Sequence, residues 1–152
     1  MTIKGLIFDF DGTILDTEYP EFTAWQEIYR SFNAELALSE WAKTLGTTNH
    51  DFDPMFHLQQ RADRHVDTQD VLRYKTNLVQ VKIREQPLLP GVQKFLEEAQ
   101  EKGLQLGIAS SSGYGWVHGH LDRFNLVSCF DAIITADDVK NVKPEPDLFI
   151  LA

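Results

Sequence analysis

The chain has 152 residues, 43% hydrophobic and 24% charged, a globular composition long enough for one domain with a modest insertion. Fourteen basic against 23 acidic residues leave a net charge of -9, which argues against a nucleic acid or an anionic membrane as partner but not against a small phosphate ligand held by a few local donors. One cysteine, Cys129, excludes an internal disulfide and points to a reducing cytosol, and the first residues read as a strand rather than a secretory leader.

Residues 3–8 (IKGLIF) read as a buried strand of a parallel sheet. Behind Pro20, Phe22, Trp25, Tyr29 and Phe32 recur at helical spacing, and Pro suits the first turn of a helix. Ser39 is placed to cap a short helix that Gly46 stops, Pro54 to open another, and Thr68 to cap a longer one carrying Val71, Leu72, Leu78 and Val79. Pro90-Gly91 opens a helix with Val92, Phe95, Leu96 and Ala99 on one face, and Gly103 closes it. Residues 104–109 (LQLGIA) form a second strand. Residues 115–124 form a helix with Val117, Leu121 and Phe124 as its stripe, and residues 130–135 (FDAIIT) a third strand.

Strand, helix, strand, helix, strand is the pattern of an α/β fold with a doubly wound, Rossmann-like parallel sheet. Roughly eighty residues of helical pattern separate Asp11 from Pro90, too many for one crossover. The expected division is a core of residues 1–16 and 88–152 and an inserted all-helical cap of residues 17–87, hinged near residues 16–19 and 86–90.

The first strand runs into DFDGT. Ligands of doubly wound sheets bind at the carboxyl ends of the strands, which is where Asp9 and Asp11 stand. One carboxylate can act as nucleophile while a second transfers a proton, and a divalent cation would keep the pair from repelling. Gly12 allows a tight turn with N–H groups facing the site. Taken alone the stretch also reads as an ordinary Asp-Gly turn. A calcium loop is excluded, because the glycine comes too early and the twelfth-position Glu is absent. Ser110, Ser111 and Ser112 end the second strand at the same sheet edge, where hydroxyl and N–H groups suit phosphate oxygens, although Ser-rich strand ends also make turns and caps. Lys143, in VKPEPDLF, follows the third strand. It reads either as a charge partner for a phosphoryl group or as a surface lysine before a helix. His118 and His120, two apart on a helix, read as surface or capping groups.

In that order, DFDGT, ASSS and VKPEPDLF resemble the first three motifs of the haloacid dehalogenase superfamily, in its capped phosphatase and β-phosphoglucomutase-like branch. The resemblance implies that Asp9 is the nucleophile that forms an aspartyl-phosphate and Asp11 the acid and then the base. It implies that Lys143 offsets charge and orients Asp9, and that Gly12, Thr13, Ser110 and Ser111 receive the phosphoryl group. Magnesium would be held by Asp9 and by the backbone carbonyl of Asp11. An acid at the Asp11 position favours phosphate chemistry over dehalogenation. Thr47, Thr48, Asn49 and His50 of the cap are candidates to meet the rest of a small phosphorylated metabolite.

The resemblance also has gaps. An acidic pair expected beyond the lysine motif is not found before Ala152, and Asp137 and Asp138 come too early to replace it. The chain therefore reads as truncated before that motif, with strand 3–8 left as an apolar edge; a partner chain or swapped dimer would cover that edge only if the chain truly ends at Ala152. Where the β-phosphoglucomutase-like members carry a His and an Arg, this chain has Glu21 and Asn49, which favours hydrolysis over mutase action. The expected function is magnesium-dependent hydrolysis of a small phosphomonoester. The alternatives are a β-phosphoglucomutase-like phosphomutase and a catalytically incompetent phosphate-binding fragment; a phospho-accepting signalling domain is disfavoured by the large insertion.

Overall fold

The computed structural model describes residues 3–44 and 52–152. The chain forms two compact units, one of Met1–Asp16 with Pro87–Ala152 and one of Thr17–Gln86. Thr47 and Asn49 of the expected site lie outside the described residues.

The first unit is built on three parallel strands, β1 (Gly5–Phe8), β2 (Gln105–Ala109) and β3 (Ala132–Ile134), in the order β1-β2-β3. Ile7 stands opposite Gly107 and Ile108 opposite Ile133. Helices α5 (Val92–Glu101), α6 (Tyr114–Arg123) and α7 (Asp147–Leu151) belong to this unit. The central strand is the buried one: Leu106, Ile108 and Ala109 are sealed from solvent. β1 departs from the buried strand expected of residues 3–8. It pairs on one side only among the described residues, and Ile7 remains 44% exposed. Phe95, expected on the buried face of α5, is half exposed, its ring edge-on to Phe8, 5.8 Å away. Gly103 follows α5 with φ +65°, a left-handed turn that only glycine adopts at little cost.

Loops at the strand ends are fixed by side-chain caps. The carboxylate of Asp137, just past β3, accepts the N–H of Tyr114 at 2.8 Å and so anchors the first turn of α6. Asp138 accepts both the N–H and the hydroxyl of Thr135, at 2.8 and 2.9 Å, and closes a capping box on the short 3-10 turn Ala136–Asp138. Both acids thus have structural partners.

The second unit holds α1 (Glu18–Ser31), α2 (Leu38–Trp41), α3 (Pro54–Arg61) and α4 (Thr68–Arg84). α1 contributes Phe22, Trp25, Ile28 and Tyr29 to its core, against Leu58 of α3 and Val71 of α4. Two expected caps are displaced. Ser39 lies inside α2, whose N-terminus has no side-chain cap, and Thr68 is the first residue of α4, capped by Asp67 through the N–H of Asp70. Asp is the better cap and is already one position upstream, so the helix starts there. Pro54 opens α3 as expected, with Asp53 accepting the N–H groups of Met55 and Phe56.

Inside this unit the Tyr29 hydroxyl donates to the Pro54 carbonyl at 2.6 Å and meets His57 Nδ1 at 2.9 Å. Its single proton goes to the carbonyl, so Nδ1–H of His57 donates to the phenol oxygen. Nε2 is then an unprotonated nitrogen, buried and without a partner among the described residues. Burial lowers the His57 pKa from its ordinary 6.5, and the Arg61 and Lys43 charges lower it further against an opposing pull from Glu40. The folded state therefore binds the proton more weakly than the unfolded chain, and stability rises with pH across the window below 6.5.

Two outcomes follow from these contacts. Asp137→Ala lowers the free energy of unfolding by about 1 kcal/mol, read from denaturant titration. The thermal midpoint of the helical unit is level above pH 6.5 and falls as the solution is acidified below it. His57→Phe removes the upper part of that slope, next to pH 6.5, and leaves the carboxylate part at lower pH, to which Glu40 with its lowered pKa contributes.

Candidate active site

The site is organised by the turn after β1. Phe10 is 1% exposed, and its carbonyl accepts the N–H groups of Thr13 at 3.2 Å and Ile14 at 2.9 Å. Gly12, at φ +69°, directs its own N–H to the Leu15 carbonyl at 2.8 Å. The backbone donors of Gly12 and Thr13, expected to face a phosphate, are thus used inside the turn. These residues give the site its shape rather than free N–H groups.

The two carboxylates that flank Phe10 have different partners. Asp9 Oδ1 accepts Lys143 Nζ at 2.7 Å and the Phe10 N–H at 2.8 Å; Oδ2 takes part in neither bond. Asp9 is 45% exposed, which leaves that second oxygen open to a ligand. Lys143 also lies 5.2 Å from the centre of the Phe149 ring, which limits the directions its chain can take. The expected pairing of Asp9 with Lys143 is therefore present.

Asp11 is gripped from β2 and α6. Ser112 Oγ donates to Oδ2 at 2.6 Å, Trp116 Nε1 donates to Oδ1 at 2.9 Å, and Ser110 Oγ lies 3.4 Å from Oδ2. The Ser112 contact is in the short range of charge-assisted bonds, whereas the Ser110 contact is long. Ser110 is fully buried, and its oxygen accepts the Ser112 N–H at 3.0 Å. The hydroxyl expected to receive a phosphoryl group thus points at Asp11 and buttresses the serine loop. Ser111 is exposed and makes none of these bonds. Trp116 was absent from the residues expected at the site. The available signal was its place in the first turn of a helix that starts at the same sheet edge as Asp11.

A hard divalent cation takes oxygen ligands, and the Asp11 carbonyl accepts none of the backbone bonds of the turn among the described residues. Among those residues no cluster of three or more His, Cys, Asp or Glu side chains fits a metal.

A family model described as "Haloacid dehalogenase-like hydrolase" matches residues 6–152. The Bacillus subtilis protein named "Putative phosphatase YhcW" is 41% identical over 150 residues, covering 99% of this chain and 68% of that one. The Escherichia coli (strain K12) fructose-1-phosphate phosphatase YqaB is 31% identical over 149 residues, covering 97% of this chain and 77% of that one. Among solved structures, that titled "putative beta-phosphoglucomutase from Thermotoga maritima" superposes with a TM-score of 0.79 at 23% identity, over 98% of this chain and 68% of its own. The chain spans about two thirds of the length of YhcW and of the Thermotoga protein. With its motifs in order on matching strand ends, this chain belongs to the haloacid dehalogenase-like hydrolase family.

Proposed function

We propose that the protein is a phosphoric monoester hydrolase acting on a small phosphorylated metabolite through a phosphorylated Asp9. The observation that carries this reading is the unequal treatment of two neighbouring carboxylates. Asp9 keeps one oxygen open while a lysine fixes the other, and Asp11 is held in place by hydroxyl and indole donors.

In the first step Asp9 Oδ2 forms a bond to phosphorus as the ester P–O bond breaks, and Asp11 gives its proton to the departing oxygen. In the second step water attacks phosphorus, Asp11 takes a proton from it, and the bond to Asp9 breaks, releasing phosphate. Lys143, on Asp9 Oδ1, fixes the carboxylate and places a positive charge beside the transferring group. Magnesium would be held by the Asp9 carboxylate and the Asp11 carbonyl and, when bound, would compensate charge on the phosphoryl oxygens.

The substrate class rests on the relatives, one of which is named for a sugar phosphate, and on a net charge of -9, which disfavours anionic polymers. A cytosolic home is supported by the lone cysteine, and among the described residues no helix is long and apolar enough to cross a membrane. The alternative, a phosphomutase, is supported by a beta-phosphoglucomutase among the relatives. Glu21, which stands where a His is expected for that chemistry, is bound to Lys75 at 2.5 Å, so its charge is balanced within the helical unit rather than set against a second phosphate.

The test is phosphate release from generic monoesters. Asp9→Asn lowers it by about a thousandfold or more, and a chelator abolishes it reversibly on magnesium readdition. Turnover that survives both changes overturns the reading. Stabilisation by phosphate with no turnover at all assigns the chain to a phosphate-binding role instead.

A further inference from the structure

Lys143 is held from two sides. Its ammonium bonds Asp9 Oδ1 at 2.7 Å and lies over the Phe149 ring, 5.2 Å from the centroid. The backbone here is stiff, because Lys143 stands directly before Pro144 and Pro146 follows soon after. The side chain is not stiff: a lysine carries its charge on a flexible stem, and a rigid backbone leaves that freedom intact. What fixes the ammonium is therefore the pair of contacts it makes.

These two contacts fare differently during the proposed reaction. As Asp9 Oδ2 forms its bond to phosphorus and the ester P–O bond breaks, the carboxylate becomes the acyl part of a mixed anhydride. It loses its negative charge, and its pull on Lys143 falls. The attraction of an aromatic face for a cation comes from the fixed quadrupole of the ring and is the same at every stage. We infer, on the basis of the hydrolase reading above, that Phe149 is a positioning residue: its ring keeps the Lys143 ammonium in place when the Asp9 carboxylate no longer does. The phosphoryl oxygens then attract the same ammonium, and the ring sets the side from which it meets them.

The ring is itself well seated. Phe149 follows Leu148, which is sealed from solvent and anchors α7. The N–H groups of Phe149 and Ile150 both donate to the Pro146 carbonyl, at 2.9 and 3.0 Å. The Ala152 carbonyl, just past α7, lies 3.5 Å from the point that a Cβ on Gly107 of β2 would occupy, so the short helix rests on the central strand. Phe149 is half exposed and does not fill the core. Any apolar side chain of similar area would serve as well in that exposed place, but only an aromatic face attracts an ammonium.

The test reads turnover of a generic monoester and the proton spectrum of Lys143. Mono-, di- and trifluorinated phenylalanine at position 149 nearly keeps the size of the ring while draining its face of negative charge. The expected result is a kcat that falls at each step, by about fivefold at the last, with KM changing by less than about twofold. Phe149→Leu lowers kcat by a similar factor, and Phe149→Tyr keeps it. A flat fluorination series overturns the inference, and this arm stands even if the Leu variant does not fold. A series that raises KM and leaves kcat alone also overturns it. The contact is read separately, without turnover: the ring current moves the methylene protons beside Lys143 Nζ upfield, and Phe149→Leu returns them to the ordinary lysine position. Absence of that shift in the unaltered protein overturns the placement of the ammonium over the ring. The shift without any Asp9-dependent turnover overturns the hydrolase reading instead, and the role of Phe149 with it.

Discussion

The burial of one ring, Phe10, is the constraint on which the rest of the site depends. Phe10 is almost completely sealed from solvent while the residues on either side are carboxylates. A fully buried Phe side chain contributes roughly 2 kcal/mol or more relative to exposure, enough to fix which way this short segment faces. With the ring inside, the backbone carbonyl of the same residue closes the following turn, and its N–H reaches Asp9. A single side chain thus sets the direction of the strand end, the shape of the turn and the separation of roles between the two acids.

From that anchor the partners come from distant parts of the chain. Lys143 follows β3 and Ser112 follows β2, both over a hundred residues from the acids they hold. The parallel sheet makes this possible, because strands that run the same way end at the same edge. Asp137 extends the arrangement from β3 to α6, so even the helix that carries Trp116 is set by the sheet edge. The caps at that edge therefore serve the site as well as the fold.

The sequence made Asp9, Asp11, Lys143 and the strand ends legible because each lies in a short stretch whose chemistry is unusual for its position. The apolar stripes gave most helices, since periodicity is a local property. What could not be read was nonlocal. Trp116 looks like packing until its N–H is seen 2.9 Å from an acid 105 positions away. Ser110 and Ser112 are alike in sequence, and only the conformation of the loop distinguishes the buried brace from the short donor. The caps of α2 and α4 were misplaced because Ser39 and Thr68 advertise a cap as plainly as any Ser or Thr, while Asp67 next to Thr68 is a stronger one. The exposure of β1 was expected from the edge it was thought to leave, against its own apolar composition, which reads as buried.

Where the chain departs for the helical unit and where it returns, the two crossings meet. Leu15 and Leu88 form an antiparallel bridge, and the Leu89 N–H bonds the Ile14 carbonyl at 3.0 Å. The core thus treats everything between as one closed loop with its ends tied. The entropic cost of such a loop grows only with the logarithm of its length, about 0.6 kcal/mol for each doubling. A tied excursion of this kind can be lengthened, shortened or exchanged in evolution while the sheet and its acids remain unaltered, so change in the inserted helices is decoupled from change in the chemistry.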